Sequence, residues 1–245
     1  GRDKEALYKE KAEIPTYFET VDQLGLQKKY PNLVIVNSRA IDMLMGMLRD
    51  KNIPTEKFRI ISRRLMNILI EEALANDCDQ IVVKESPLGY YKTIHNPRSM
   101  SNYLAISILR SGNAMVDDVI NIIPDIKVGN ILVQRNEESV GKEPIFYFEK
   151  LPQNIQENRV LLLDPMLASG GSASMCIKSL LDKGVREENI VFINLISVEE
   201  GIKNVLEKFP KIKIITAKCD PVLLPIKYIA PGLGDFGDRF YGTQH

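Results

Sequence analysis

Several residue types that often carry protein chemistry are scarce in this sequence of 245 residues. It contains two histidines, His95 and His245, no tryptophan, and three widely separated cysteines, Cys78, Cys176 and Cys219. These numbers and spacings argue against a histidine-dependent catalytic triad, a zinc site and a disulfide framework. We expect Cys176, which falls inside a predicted helix, to be a small residue of the core.

The sequence also lacks an excess of charge and a long apolar run. Lysine plus arginine equals aspartate plus glutamate at 32 each, so no global basic field would attract nucleic acid or an anionic membrane. No apolar run approaches the ~20 residues that span a bilayer. The first residues, GRDKEALYKEK, contain no apolar signal core. We therefore expect a cytoplasmic protein that binds neither membrane nor nucleic acid.

The most informative feature is the segment VLLLDPMLASGGS, residues 160–172. Its four leading apolar residues predict a buried strand, and Asp164 ends that strand. A turn of small residues follows, and then a periodic apolar segment that predicts a helix ending near Gly184. A glycine-rich turn between a strand and a helix directs backbone N–H groups and the positive helix end at one point, where a phosphate can bind.

The shape of this segment is equally compatible with an ordinary strand-to-helix turn, in which Gly and Ser provide backbone freedom and capping. The carboxylate of Asp164 favours a binding site, because open α/β sheets bind ligands at the carboxyl ends of their strands. A nucleoside-triphosphate P-loop is excluded, since no lysine follows the second glycine.

The rest of the chain alternates between predicted strands and helices, which indicates an α/β fold with a mainly parallel sheet flanked by helices. We interpret residues 1–31 as an N-terminal extension, either weakly structured or packed, and residues 32–245 as one domain. Besides the segment at 160–184, the predicted strands are 32–37, 104–109, 128–134, 145–149, 190–196 and 212–216, and the predicted helices are 38–49, a helix opening at 55, 115–123 and 199–209.

The segment at 160–172 is similar to the phosphoribosyl-pyrophosphate (PRPP) motif of type I phosphoribosyltransferases, and its Asp-Pro pair resembles the uracil phosphoribosyltransferases. The segments that agree with that family, in matching order, are RDKNIPTEKFR (49–59), ILRSG (108–112), QRNEE (134–138) and YIAPGLGDFGDRFYGT (228–243). The resemblance implies the type I phosphoribosyltransferase fold, in which N- and C-terminal parts form a hood over the strand ends.

PRPP is a ribose with a 5′-phosphate and a 1-pyrophosphate, so its site needs an anion-binding turn, acceptors for the ribose hydroxyls and cations. The turn would hold the 5′-phosphate through backbone N–H groups and the hydroxyls of Ser169 and Ser172. Asp164 would accept hydrogen bonds from the ribose hydroxyls. The resemblance maps the PRPP contacts onto Arg110, Arg135, Asp164, Pro165, Met166, Leu167, Ala168, Ser169, Gly170, Gly171, Ser172 and Asp235.

Arg110 and Arg135 each end a predicted strand. Taken alone, either residue is more typical of a solvated arginine at a strand end. Two such arginines in a sheet that carries a phosphate turn favour one shared site. Their planar guanidinium groups would contact pyrophosphate there and neutralise the charge that develops as its bond to ribose breaks. The resemblance maps both arginines onto PRPP contacts, and we take both as catalytic.

The C-terminal run contains a formal GxGxxG at 232–237. Too few residues follow it for the helix and second strand of a dinucleotide site. We interpret the run as an irregular loop whose glycines allow the backbone to approach a flat ligand closely. The resemblance implies that backbone groups of Ile229, Gly234 and Phe236 recognise the edge of uracil.

Asp235 is the third candidate catalytic residue. We predict that it contacts uracil and faces PRPP and a Mg2+ ion bound to pyrophosphate, and that it helps to remove the N1 proton of uracil. We interpret Asp238 and Arg239 as structural, forming a local ion pair that holds the loop, and Tyr228 as a packing or stacking residue.

The resemblance implies transfer of the phosphoribosyl group from PRPP to uracil, giving UMP and pyrophosphate in pyrimidine salvage. It also implies Mg2+ as cofactor, a homodimer or homotetramer, and a possible GTP effector whose pocket no segment locates. The charged segment 136–144 would cover the site or reach a partner subunit. Two alternatives remain: a non-catalytic regulator that binds UMP and RNA, and a transferase for another base. The neutral charge balance argues against the first and the loop PGLGDFGDR against the second.

Overall fold

The computed structural model describes residues 21–135 and 144–243. Within them the strands are β1 (Leu33–Ile35), β2 (Gln80–Ser86), β3 (Gly89–His95), β4 (Tyr103–Leu109), β5 (Lys127–Arg135), β6 (Pro144–Lys150), β7 (Arg159–Leu163), β8 (Met166–Leu167), β9 (Ile190–Val198), β10 (Lys213–Asp220), β11 (Val222–Leu223) and β12 (Ile229–Ala230). The α-helices are α1 (Gln23–Lys29), α2 (Arg39–Arg49), α3 (Thr55–Ala75), α4 (Val116–Ile122), α5 (Gly171–Asp182), α6 (Glu199–Lys208) and α7 (Phe236–Tyr241). None of these described helices has both the length and the apolar character needed to cross a membrane.

One central sheet organises the described residues. Its strand order is β1-β10-β9-β7-β4-β5-β6, with β8 pairing with β9, and only the β5–β6 pairing is antiparallel. Strands β7 and β9 are buried along their whole length, as expected for parallel strands covered by helices on both faces. The predicted α/β fold with a mainly parallel sheet is confirmed.

Two apolar cores lie on opposite faces of this sheet. Helices α2, α3, α4 and α7 contribute to one core, and α1, α5 and α6 contribute to the other. Cys176 of α5 is fully buried in the second core, which confirms its prediction as a core residue. Burial, reinforced by the negative charges of Asp164 and Glu149, raises the pKa of this thiol. It therefore stays protonated and is not a nucleophile.

Most element boundaries lie within a few residues of the predicted ones. Ser38 caps α2, because its side chain accepts a hydrogen bond from the N–H of Ile41 at 3.2 Å. The antiparallel hairpin β2–β3 was not predicted. It forms a separate two-stranded sheet, and its exposed apolar side chains are Ile81, Val83, Leu88, Tyr90, Tyr91 and Ile94.

The described end of the N-terminal extension is packed against the sheet. Gln23 of α1 forms two hydrogen bonds with the backbone of Cys219, donating to its carbonyl at 2.8 Å and accepting from its N–H at 3.0 Å. Gln27 accepts from the N–H of Ile35 in β1 at 2.8 Å. Residues 1–20 lie outside the described part, and the boundary between residues 31 and 32 stays a prediction.

Asp118 of α4 is a buried carboxyl whose protonation should affect stability. Its side chain is 3% exposed and lies 3.9 Å from the Arg63 guanidinium. Burial raises its pKa to about 6, with Arg63 lowering it and Asp117 raising it. Because the folded state holds this proton more tightly than the unfolded state, the free energy of unfolding should fall as pH rises from about 4 to about 6.

Asp118→Asn is therefore expected to raise the free energy of unfolding by about 1–3 kcal/mol at pH 7–8, with the difference from wild type disappearing below about pH 4. Urea unfolding of both proteins across this pH range measures the effect. The control is Asp117→Asn, whose side chain is 68% exposed and should change stability little. A constant difference between Asp118→Asn and wild type at every pH would contradict the prediction.

Candidate active site

The turn predicted to bind phosphate lies between β8 and α5, at the carboxyl end of the sheet. Gly170 has a φ of +81°, in the left-handed region that favours glycine. The twelve-residue helix α5 begins directly after it. The unpaired N–H groups of the first helical turn therefore lie beside this loop, as an anion site requires.

The start of α6 supports the turn from behind. A Cβ atom on Gly201 would lie 2.2 Å from the carbonyl oxygen of Ala168, a separation that leaves no room for a side chain. Asn204 donates a hydrogen bond from Nδ2 to the carbonyl of Ser169 at 3.0 Å. These contacts fix the backbone of the turn, and a fixed backbone binds an anion at a lower entropic cost.

A cleft of about 620 Å³ opens where β4, β5 and β7 end. Its walls come from these strand ends, from residues 168–172 (the turn predicted to bind phosphate, called the phosphate turn below) and from residues 227–236 near the C-terminus. The lining residues are Ile108, Leu109, Arg110, Ser111, Val133, Gln134, Asp164, Met166, Ala168, Ser172, Lys227, Tyr228, Gly234, Asp235 and Phe236. A cleft of this size is typical of small-molecule sites.

The cleft brings together many of the predicted site residues. The predicted residues on its walls are Arg110, Asp164, Met166, Ala168, Ser172, Gly234, Asp235 and Phe236. The predicted residues that do not line it, within the described part of the chain, are Pro165, Leu167, Ser169, Gly170, Gly171 and Ile229. Leu167 and Ile229 are buried in the apolar cores. For both sets, ligand binding itself stays a prediction.

Arg135 is the last residue of β5, where its backbone pairs with Pro144 of β6. Strands β4 and β5 are parallel neighbours, so Arg110 and Arg135 stand at adjacent strand ends. The side chain of Arg135 lies outside the described part of the structure. Most of the segment expected to cover the site, residues 136–143, lies outside it too.

Arg110 follows β4 and contacts the C-terminal helix α7. Its Nη2 donates to Oδ1 of Asp238 at 3.0 Å, and its guanidinium carbon lies 5.1 Å from the centre of the Tyr241 ring. The side chain is 53% exposed. Arg110, the residue predicted to bind pyrophosphate, therefore forms an ion pair with the carboxylate of Asp238.

The prediction that the whole C-terminal run is an irregular loop is wrong. Gly232 and Gly234 do have positive φ values of 58° and 78°, but residues 236–241 form α7. Asp235 is the N-cap of this helix, since its Oδ1 accepts the N–H of Asp238 at 2.9 Å. Oδ2 of Asp235 lies 3.5 Å from the hydroxyl of Tyr228. This six-residue helix is stabilised by its cap and by the burial of Phe236 and Phe240 in the core.

The predicted local ion pair between Asp238 and Arg239 is also wrong. Successive helical residues point in different directions, so Asp238 pairs with Arg110 while Arg239 turns into the core. Arg239 donates to the carbonyl oxygens of Leu48, Leu233 and Asp50 at 2.6, 2.7 and 2.5 Å. It is structural as predicted, through these carbonyls.

A second arginine, the half-buried Arg49, links the same segment to the end of α2. Arg49 forms a bidentate pair with Asp220, with both N···O distances between 2.6 and 2.7 Å, and donates to the carbonyl of Gly232 at 2.7 Å. Asp220 also accepts the N–H of Gly232 at 2.8 Å. Arg49 and Arg239 thus tie the C-terminal segment, residues 229–241 (the base loop of the prediction, with α7), to the end of α2.

Sequence reasoning missed several residues of the cleft, including Ser111, Gln134 and Lys227. Ser111 directly follows Arg110 in the motif ILRSG, and Gln134 directly precedes Arg135, so adjacency could have indicated both. Lys227 has a φ of +67°, and its Nζ lies 3.8 Å from Oε1 of Glu200. No sequence signal marks Lys227, because the path of the loop before β12 places it in the cleft.

The described carboxylates offer limited ligation for a metal ion. In residues 21–135 and 144–243, no group of three or more His, Cys, Asp or Glu side chains is arranged to hold one. Asp164 and Asp235 are the carboxylates among the residues that line the cleft. This donor set suits Mg2+, which commonly binds one or two carboxylates and takes its other ligands from substrate phosphates and water.

Comparisons with known proteins agree with one another. The family model described as uracil phosphoribosyltransferase matches residues 35–243. The chain is 39% identical over 224 residues to uracil phosphoribosyltransferase 2 of Schizosaccharomyces pombe. This alignment covers 90% of the present chain and 100% of the relative. It is 38% identical over 218 residues to uracil phosphoribosyltransferase of Dictyostelium discoideum, and this alignment covers 88% of the present chain and 99% of the relative.

A solved structure shows the same similarity in three dimensions. The AQ2163 protein from Aquifex aeolicus matches with a TM-score of 0.73 and 28% identity, over 86% of this chain and 99% of that one. The fold, the order of the motifs and the sequence matches all lead to one conclusion. The chain belongs to the uracil phosphoribosyltransferase family.

Proposed function

We propose that this protein is a uracil phosphoribosyltransferase that converts uracil and PRPP to UMP and pyrophosphate in pyrimidine salvage. The observation that carries the proposal is the single cleft at the strand ends. It is lined by the phosphate turn, by Arg110 and Asp164 at two strand ends, and by residues 234–236 of the base loop. One cleft thus provides for each part of the two substrates.

PRPP would occupy the sheet side of this cleft. The N–H groups and hydroxyls of the turn bind the 5′-phosphate, Asp164 accepts the ribose hydroxyls, and Arg110 with Arg135 binds the pyrophosphate. Mg2+ bound to the pyrophosphate oxygens would neutralise part of their charge, with Asp235 as the nearby carboxylate.

Uracil would lie against the base loop. The backbone of Gly234 and Phe236, on the wall of the cleft, offers N–H and C=O groups for the carbonyls and the N3–H of uracil. These backbone groups are held in place by the hydrogen bonds of Arg49 and Arg239 to the loop. A rigid donor and acceptor pattern of this kind discriminates between bases, because a mismatched base leaves a buried polar group unpaired.

The reaction forms a bond between N1 of uracil and the anomeric carbon of ribose and breaks the bond from that carbon to pyrophosphate. The N1 proton leaves uracil, with Asp235 as the candidate acceptor. The transition state would carry positive charge on the ribose and growing negative charge on the leaving group. Catalysis then depends on positioning and on the arginines that face the pyrophosphate.

Base selectivity tests the proposed function. With Mg2+ and PRPP supplied, we expect UMP and pyrophosphate to appear with uracil, and kcat/KM to be at least about 100-fold lower with cytosine, hypoxanthine or adenine. The 4-amino group of cytosine places a donor where uracil has an acceptor. Chromatography of the nucleotide products measures the outcome. Preferred turnover of another base would indicate a related transferase, and UMP and RNA binding without turnover would indicate a regulator.

We also propose a homodimer or homotetramer. The hairpin β2–β3 supports this proposal, because large apolar side chains such as Leu88 and Tyr90 are exposed on it in the single chain and exposed apolar patches commonly mark protein contacts. Sedimentation of the purified protein tests the assembly. A GTP effector and a cytoplasmic location also stay predictions, and a GTP titration during the activity assay tests the first.

A further inference from the structure

The C-terminal helix α7 touches two parts of the cleft. Its N-cap, Asp235, and its first residue, Phe236, line the cleft as part of the base loop. In the first turn of this helix, Oδ1 of Asp238 lies 3.0 Å from Nη2 of Arg110 and accepts a second hydrogen bond from Thr243 at 2.8 Å. The same short helix therefore contacts both the proposed base slot and the proposed pyrophosphate ligand.

The far end of α7 also restrains Arg110. The Tyr241 ring lies 5.1 Å from the guanidinium carbon, and the Tyr241 hydroxyl donates to the backbone carbonyl of Arg110 at 3.3 Å. Burial raises the pKa of Tyr241, so this hydroxyl keeps its proton at neutral pH. Arg110 is thus held by a carboxylate, by an aromatic face and through its own backbone.

The backbone of α7 lies close to the start of the turn that carries Arg110. A Cβ atom on Gly237 would lie 2.8 Å from Oγ of Ser111 and 3.3 Å from Nη2 of Arg110. The glycine leaves the space in which the guanidinium reaches Asp238. The contact is therefore set by close packing as well as by charge.

We propose that Asp238 is a positioning residue that orients Arg110 for the departing pyrophosphate, an inference that rests on the proposed function. Toward the described residues, the Arg110 side chain donates from Nη2, to Asp238 and to Thr243, and a guanidinium has further donors in the same plane. When the Nη2 group of Arg110 is held in place, the orientation of the whole planar guanidinium is restrained. Because the pair is partly exposed, at 53% and 27%, it contributes little to stability, and its role is orientation.

This role predicts a separation between kcat and KM. An oriented guanidinium stabilises the charge that develops on pyrophosphate in the transition state more than it stabilises bound PRPP. Asp238→Ala should lower kcat about 10- to 100-fold, with less than about a threefold change in either KM. Asp238→Asn should recover part of kcat, since the amide oxygen still accepts the hydrogen bond from Arg110.

A double-mutant cycle distinguishes positioning from a merely structural role. If Asp238 acts through Arg110, Asp238→Ala should have no further effect on kcat in an Arg110→Ala background. The control is Asp182→Ala, which removes an exposed ion pair with Lys178 (2.8 Å) on α5 and should leave kcat unchanged. The melting temperature of each variant shows whether it is folded.

The possible outcomes separate this inference from the proposed function. Wild-type protein that makes no UMP from uracil and PRPP overturns the proposed function, and with it this inference. Active wild type with an unchanged kcat in Asp238→Ala overturns the inference alone. So does an equal loss of kcat from Asp238→Ala with and without Arg110. If Asp238→Ala fails to fold, the same comparisons are made with Asp238→Leu, which also lacks an acceptor for Arg110, and an unchanged kcat there overturns the inference.

Discussion

Asp164→Asn is expected to lower kcat/KM for PRPP by about 100- to 1,000-fold while the melting temperature stays within a few degrees of wild type. The carboxylate accepts hydrogen bonds from hydroxyls with both oxygens, whereas the amide presents an N–H donor to one ribose hydroxyl. The residue is fixed by the sheet, because its backbone N–H donates to the carbonyl of Ile193 at 3.3 Å. Steady-state kinetics with varied PRPP, together with calorimetric PRPP binding, measure the loss.

The matched control for this prediction is Asp182→Asn, the same chemical change at an exposed position of α5. It should leave both kinetics and stability near wild type. Full activity in a folded Asp164→Asn protein would remove Asp164 from the proposed ribose site. A loss confined to the KM for uracil would also contradict the assignment, since the carboxylate is proposed to contact the sugar.

Gly201→Ala is expected to destabilise the protein by about 1–3 kcal/mol and to raise the KM for PRPP. Its new methyl group would lie 2.2 Å from the carbonyl oxygen of Ala168 and 3.1 Å from Cγ of Leu167, so the phosphate turn must move. Alanine is normally favoured over glycine within a helix by roughly 0.5–1 kcal/mol. The backbone clash outweighs that gain, because the carbonyl belongs to a turn held on both sides.

Gly46→Ala provides the comparison, since Gly46 lies within α2 and a Cβ placed there would meet no described atom within 4 Å outside the neighbouring backbone of its own helix. This variant should be stabilised by roughly 0.5–1 kcal/mol with unchanged kinetics. Urea unfolding and PRPP kinetics on both variants give the test. If both variants were stabilised equally, the contact between α6 and the phosphate turn would not contribute to stability, and the prediction would be contradicted.

The strand, turn and helix at 159–182 could be predicted because their information is local. The apolar run of β7 and the periodic face of α5 are each properties of a short window, and glycine is needed at Gly170 for its own backbone conformation. The hairpin β2–β3 was missed because its apolar side chains are exposed. No buried face stabilises it within the single chain, so the pattern that identifies core strands did not single it out.

The partners of the charged residues could not be predicted. Asp238 and Arg239 are adjacent, and adjacency suggested an ion pair. Asp238 instead pairs with Arg110, at a sequence separation of 128. Arg239 donates hydrogen bonds to the carbonyls of Leu48 and Asp50, at sequence separations of 191 and 189. Such contacts depend on how α7 and α2 pack over the sheet, and no local pattern encodes that geometry.

The sequence by itself determined the alternation of strands and helices and the type of sheet. It also placed a glycine turn and a carboxylate after one strand and arginines after two others, because strand ends and turns follow from short-range periodicity and backbone preference. Only the tertiary structure decided that the C-terminal segment lies across these strand ends, that Lys227 joins the cleft and that Asp238 holds Arg110. Those outcomes depend on long-range packing, which brings together residues that have no relation along the chain.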